Sequence, residues 1–258
     1  MRIVRLPGIH HDSNIVLAVG KLGTILVDSG TSWYQALQIE RILGIVEDNK
    51  LDRILLTSRR YPCSGASSHI SQHFDNCPVH ANTNAMQSLA QGDFFTTWSN
   101  RFDSDMPPIE VLPLEGGEIF ALGDGQISCI SLPGHSNDSM AYYVEDKNLL
   151  ISGLILPRAD RPARWDLPTG CLPDLVASLK KIKQLKLETI IPFQGPAIRG
   201  KKHVLDVLNR HIEFFQSCIN NDGLPPKSWP RPAQTALWLT PVSPVSYTHL
   251  TLPTTLTV

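Results

Sequence analysis

The stretch LDRILLTSRRYPCSGA, Leu51 to Ala66, decides the fold. Ile54, Leu55 and Leu56 form a short apolar run that suits a buried strand. It stops at Thr57, and a polar loop follows, closed by Ser64 and Gly65. A strand that breaks into a loop of special residues is where open α/β folds place their chemistry.

Working outward, strands are expected at Met1 to Leu6, Ile15 to Val19 and Thr24 to Val27, the last ending in Asp28-Ser29-Gly30. Residues 32–47 carry helical spacing, with Leu37, Ile42 and Ile45 or Val46 available for an inner face. After the central strand come a short helix from Ser67 to His73, a strand from Pro78 to Ala81 and a helix from Thr83 to Leu89. Gln91 to Pro108 is polar and aromatic and is expected to be irregular. A strand-rich section follows: Ile119 to Leu122, Gln126 to Leu132, Met140 to Val144 and Leu149 to Ile151. Arg158 to Thr169 reads as a Pro- and Arg-rich loop. Pro173 to Leu187 is an amphipathic helix with Leu175, Leu179, Ile182 and Leu185 on one stripe. Thr189 to Ile191 is a last strand and Lys202 to Cys218 a last helix. Strands and helices alternate twice around a β-rich middle. That order predicts an α/β chain folded as a four-layer αββα sandwich, two sheets face to face with helices outside.

The 258 residues are 42% hydrophobic and 18% charged, with a net charge of −1, the balance of an ordinary globular chain. No excess charge draws it to nucleic acid or to an anionic membrane. No apolar run approaches the roughly 20 residues needed to span a bilayer, and none resembles a signal peptide. The five cysteines are odd in number and show no C-x-x-C pairing, so a reduced, cytoplasmic protein is expected. Residues 1–229 read as one domain. From Pro230 the chain is rich in Pro and Thr and loses periodicity. Residues 244–258 resemble a translated sequencing-adapter tail, which implies a non-native end.

Several separated landmarks carry a family resemblance, spanning Asn14 to His211. They are Thr57 to Gly65 after its strand, Asp28-Ser29-Gly30, Leu114-Glu115-Gly116-Gly117-Glu118-Ile119, Leu132-Pro133-Gly134-His135-Ser136, Leu150-Ile151-Ser152-Gly153 and Ile191 to Pro196. In that order and spacing the chain resembles the metallo-β-lactamase superfamily, and within it the glyoxalase II-like hydrolases. The resemblance implies two zinc ions and a metal-activated water that attacks a thioester, ester, lactam or phosphoester. It also implies that Asp28 hydrogen-bonds the loop around Thr57. The signature loop, strand-T-H-x-H-x-D-H-x-G, keeps its frame here and loses its ligands. Ser58 and Arg60 stand at the first two His positions, Pro62 at the Asp and Cys63 at the third His. His135 is retained. Leu154 stands at the bridging Asp and Gln194 at the last His, with Phe193 in place of the Gly before it. Zinc needs three or four thiolate, imidazole or carboxylate ligands, and only His135 and Cys63 offer any. The substitutions point to a site vacated and refilled with apolar side chains.

Three chemistries are open at these residues. Arg59 and Arg60 could hold a carboxylate or phosphate of an anionic small molecule; otherwise they face solvent or pair with carboxylates. Cys63 beside His135 could be an activated nucleophile; otherwise it is a buried thiol next to a leftover histidine. His10 and His11 could add metal ligands, although adjacent histidines point in opposite directions. His69, His73, His80, His203 and His211 are expected in structural roles. Trp33, Tyr34, Phe94, Phe95 and Trp98 either wall a cleft or pack. The expectation is a degenerate member of the fold, without cofactor or hydrolase activity, that binds an anionic small molecule or a partner chain. The alternative is a thioester or ester hydrolase, using a non-standard zinc site or Cys63. A structural subunit whose refilled face makes oligomer contacts is a third. Oligomeric state is not legible.

Overall fold

The computed structural model describes residues 1–46 and 50–227. The tail from Pro230, including residues 244–258, and the boundary at 229 lie outside the described residues, as does Glu47 at the end of the first expected helix.

Two six-stranded sheets face each other. The first holds β1 (Arg2–Leu6), β2 (Ile15–Gly20), β3 (Gly23–Val27), β4 (Arg53–Leu55), β5 (Val79–Asn82) and β6 (Leu112–Leu114), in that spatial order. β1, β2 and β3 pair antiparallel, and β3 through β6 run parallel. The second sheet runs β12-β11-β10-β9-β8-β7: β7 (Ile119–Ala121), β8 (Gln126–Ser131), β9 (Met140–Val144), β10 (Leu149–Gly153), β11 (Thr189–Pro192) and β12 (Ile198–Arg199). Its β10 and β11 are parallel, because α5 (Leu172–Lys183) crosses between them; its other pairings are antiparallel.

The alternation of each strand divides its side chains between two cores. In β2 and β3, Val16, Ala18, Ile25 and Val27 point between the sheets and meet Ile127, Cys129, Met140, Tyr142 and Ile151 of the second sheet. Ile15, Leu17 and Leu26 point outward to a separate core with Ile42, Ile54 and Ile70. That outer core is covered by α1 (Gln35–Leu43), α3 (Ser67–His73) and α4 (Met86–Ala90). On the opposite outer face, Leu175, Leu179 and Ile182 of α5 pack with Val204, Val207, Leu208 and Phe215 of α6 (Lys201–Asn220). The αββα sandwich is therefore present.

Four local expectations need correction. Leu37 is 44% exposed, and Gln38 takes the inner position, where its amide donates to Asp12 at 2.8 Å. α5 stops at Lys183, short of Leu187. β6 and β12 are additional strands, and Tyr61 to Ser64 form one helical turn, α2, inside the signature loop. Among the described residues no helix is long and apolar enough to cross a membrane. All five cysteines are free.

Candidate functional site

The loop after β4 is fixed from its first residue. Asp28, at φ +60°, accepts from the Thr57 N–H at 2.7 Å and from Thr57 Oγ1 at 2.8 Å, as the family resemblance implies. Burial drives the Asp28 carboxyl up to about 7 against those hydrogen bonds. Gly153, at the end of β10, lies so close that a Cβ there would stand 2.6 Å from Thr57 Cβ. The Thr57 carbonyl accepts from Met140 N at 2.8 Å, so the loop is tied to the second sheet as well.

Beyond Thr57 six of the seven ligand positions (Ser58, Arg60, Pro62, Cys63, His135 and Leu154) are buried among polar and apolar side chains, and the seventh, Gln194, is half-buried at the edge. Ser58 Oγ donates to Asp138 Oδ2 at 3.1 Å, and the Arg59 N–H donates to the same oxygen at 2.6 Å. Arg59 and Arg60 are 4% and 1% exposed, so neither guanidinium faces bulk solvent. Arg59 donates to the Asn84 carbonyl and Thr169 Oγ1, with its Nη1 3.7 Å from Asp138 Oδ1. Arg60 donates to the Thr96 carbonyl at 2.6 Å and the Pro168 carbonyl at 3.1 Å, and its guanidinium stacks on Trp98 at 4.8 Å. Arg164 lies 5.7 Å from the same indole and pairs with Asp166 through Nε at 2.8 Å. Trp98, read from sequence as cleft wall or packing, is thus an aromatic surface between cations; it is held at φ +67°.

His135 is fully buried. Its Nδ1 lies 3.1 Å from the Arg164 carbonyl; a carbonyl accepts, so Nδ1 carries the proton and Nε2 is a lone pair. Burial first, then the Arg60 charge, lowers its pKa to about 3, so the imidazole is neutral. Asp138 is opposite in sense: burial opposes ionisation, but Arg59 and Arg60 hold the carboxyl below its ordinary range. This residue was not singled out from sequence. Its only signal was a carboxylate three residues beyond His135, in a chain whose signature loop carries two adjacent arginines.

Cys63 packs with Leu154 and Phe193 in a separate buried apolar cluster. Burial, then the neighbouring Asp28, pushes its thiol well above the ordinary range, the reverse of an activated nucleophile. Its sulfur lies 3.6 Å from Thr57 Oγ1, whose proton goes to Asp28. No hydrogen bond joins it to His135 among the described residues. Pro62 gives its carbonyl to Ser13 N, and Gln194 donates to the His10 and Asp12 carbonyls. His10 stacks on Tyr34 at 5.7 Å, and His11 meets the edge of Phe102 at 5.8 Å. Trp33 packs on Tyr61 and Phe102, while Phe94 and Phe95 stack on each other and stay exposed.

The zinc implied by the resemblance does not fit this residue set. Among the described residues, buried polar atoms without a hydrogen-bond partner include Arg59 Nε, Arg60 Nε, Arg164 Nη1, His135 Nε2 and Asp138 Oδ1. Three of those five belong to cationic donors, which repel a metal ion; two offer lone pairs. Among the described residues no three His, Cys, Asp or Glu side chains group closely enough to hold a metal. No catalytic step through a metal is therefore derived.

No family model matches the chain. It is 32% identical over 188 residues to the probable metallo-hydrolase MJ0888 of Methanocaldococcus jannaschii, covering 72% of this chain and 87% of that protein. It is 23% identical over 196 residues to the acyl-coenzyme A thioesterase MBLAC2 of Homo sapiens, covering 67% and 68%. Among solved structures it superposes on TTHA1623 in a di-iron-bound form with a TM-score of 0.64 and 26% identity, covering 82% of this chain and 98% of that one. The BLEG-1 B3 metallo-β-lactamase gives a TM-score of 0.65 at 23% identity, covering 77% and 94%, which speaks for the fold alone. Two sheets packed face to face, the Asp28–Thr57 latch and a relative matched over most of its length agree: the chain belongs to the metallo-β-lactamase superfamily.

Proposed function

We propose that this chain is a member of that hydrolase superfamily that no longer hydrolyses, its metal centre replaced by a buried cluster of arginines and carboxylates. One observation carries this. At the second ligand position Arg60 places a fixed cation beside His135 and Asp138, the two groups there with free lone pairs. The Arg60 guanidinium gives its hydrogen bonds to the Thr96 and Pro168 carbonyls, so its positive charge stays beside those lone pairs and repels a divalent cation that would use them. On this account Arg59 and Arg60 act as internal cations that hold loops together through the Asn84, Thr96 and Pro168 carbonyls. Cys63 acts as apolar filling, and no cofactor is required.

The test is hydrolysis of short- and long-chain acyl thioesters and esters by the purified full chain, with zinc, iron(II) or manganese(II) added in turn. The expected result is no rate above buffer with metal. A saturable rate lost on His135→Ala would defeat the proposal in favour of a non-standard metal site. A metal-independent rate lost on Cys63→Ser would defeat it in favour of thiol chemistry.

A further inference from the structure

Outside the refilled core, a cleft of about 410 Å³ opens between the start of the first sheet and the loop after β11. Arg5, His10, Asn14, Arg158, Gln194 and Gly195 line it. That volume is in the lower range of small-molecule pockets, larger than an inorganic ion requires.

Arg5 is held in a set orientation. Its Nη1 donates to Asn14 Oδ1 at 3.0 Å and to the Gly195 carbonyl at 3.2 Å. Asn14 is anchored in turn, its Nδ2 donating to the Pro192 carbonyl at 2.8 Å and the Gly195 carbonyl at 3.0 Å. These bonds use one side of the guanidinium. The Nε–Nη2 edge has no partner among the described residues, and that edge presents two parallel N–H groups matched to a carboxylate. Arg158 differs: its Nε and Nη2 face Asp160 at 2.9 and 3.5 Å, which leaves Nη1. Asp12, the nearest other acid in sequence, turns both oxygens away to Thr31 and Gln38. Arg5, Arg158 and Asp160 together leave one uncompensated positive charge, suited to a monoanion. Gly195 sits at φ +83° with open space where a Cβ would be, so a ligand can approach the backbone there, and its N–H has no partner among the described residues.

We propose that this cleft binds the carboxylate of a small organic acid, held bidentately by the Nε–Nη2 edge of Arg5, with Arg158 at the rim. The site shares no guanidinium with the buried cluster, so it stands whether or not the chain hydrolyses anything.

The test is a titration of the full isotope-labelled chain at constant ionic strength with acetate, succinate and inorganic phosphate, following the arginine Nε–H signals by NMR. Expected are a saturable shift of the Arg5 Nε–H with the carboxylates, weaker binding of phosphate, and loss of the carboxylate response in Arg5→Lys, which keeps charge but not the fork. Arg158→Ala, at a half-exposed ion pair, weakens binding about five-fold. An Arg5 signal that does not saturate with either carboxylate overturns the proposal, as does tighter binding of phosphate. The wild-type Arg5 signal decides the matter even if Arg5→Lys fails to fold.

Discussion

His135 is the one ligand-position residue that keeps its family identity, and its surroundings give it a different task. It donates from Nδ1 to the Arg164 carbonyl and stays neutral down to about pH 3, whereas an unfolded histidine takes a proton near 6.5. Between those values the unfolded chain binds the extra proton, so this histidine's contribution to stability falls as the pH falls. Urea unfolding at pH 6.5 and pH 5 should therefore show wild type losing about 2 kcal/mol more than His135→Gln over that interval. Equal losses in the two chains would show that the imidazole is not held neutral. Arg60 is coupled to Asp138 in the same cluster. Removing one partner of a buried charge group leaves the other uncompensated, so Arg60→Ala should cost roughly 3–5 kcal/mol in urea unfolding. Arg60→Ala combined with Asp138→Asn should cost less than the two single changes added. Strict additivity would mean that the two side chains do not act on one another.

At the scale of elements, the sequence disclosed the strands and helices whose patterns are local, and concealed what other elements decide. The β4 run and the long stripe of α5 follow from apolar spacing alone. β6 was hidden because Pro113 sits in its middle; the sheet tolerates it because β6 is an edge strand. β12 has two residues, too few for any period to register. Gln38 replaced Leu37 on the inner face of α1 because Asp12, distant in sequence, offers its amide a buried acceptor. The loop substitutions were legible residue by residue, but not the fact that Arg59 and Arg60 point inward; that needed Asp138 and the Thr96 and Pro168 carbonyls in place. Gly134 gives a test at this scale. At φ +142° it lets the loop before His135 touch α5, and a Cβ would stand 2.5 Å from Leu175 Cα. Backbone cannot yield as a side-chain tip would, so Gly134→Ala should destabilise by about 1–3 kcal/mol in urea unfolding, through strain and displacement of α5. No change in midpoint would contradict that contact.

For the whole molecule, the metallo-β-lactamase sandwich brings loops from both sheets to one place, and in this chain those loops meet in a packed interior. Buried Arg60 and His135 and the apolar cluster of Cys63 and Leu154 with Phe193 stand at positions where the superfamily resemblance implies ligands to two zinc ions. Fold alone does not confer hydrolysis; the residues at the site do. The most direct measurement is elemental analysis of metal content in the chain purified without chelators. Less than about a tenth of a zinc, iron or manganese per chain is expected, whereas metal-ion catalysis needs a stoichiometric ion. About one or two metals per chain, lost on His135→Ala, would contradict that expectation.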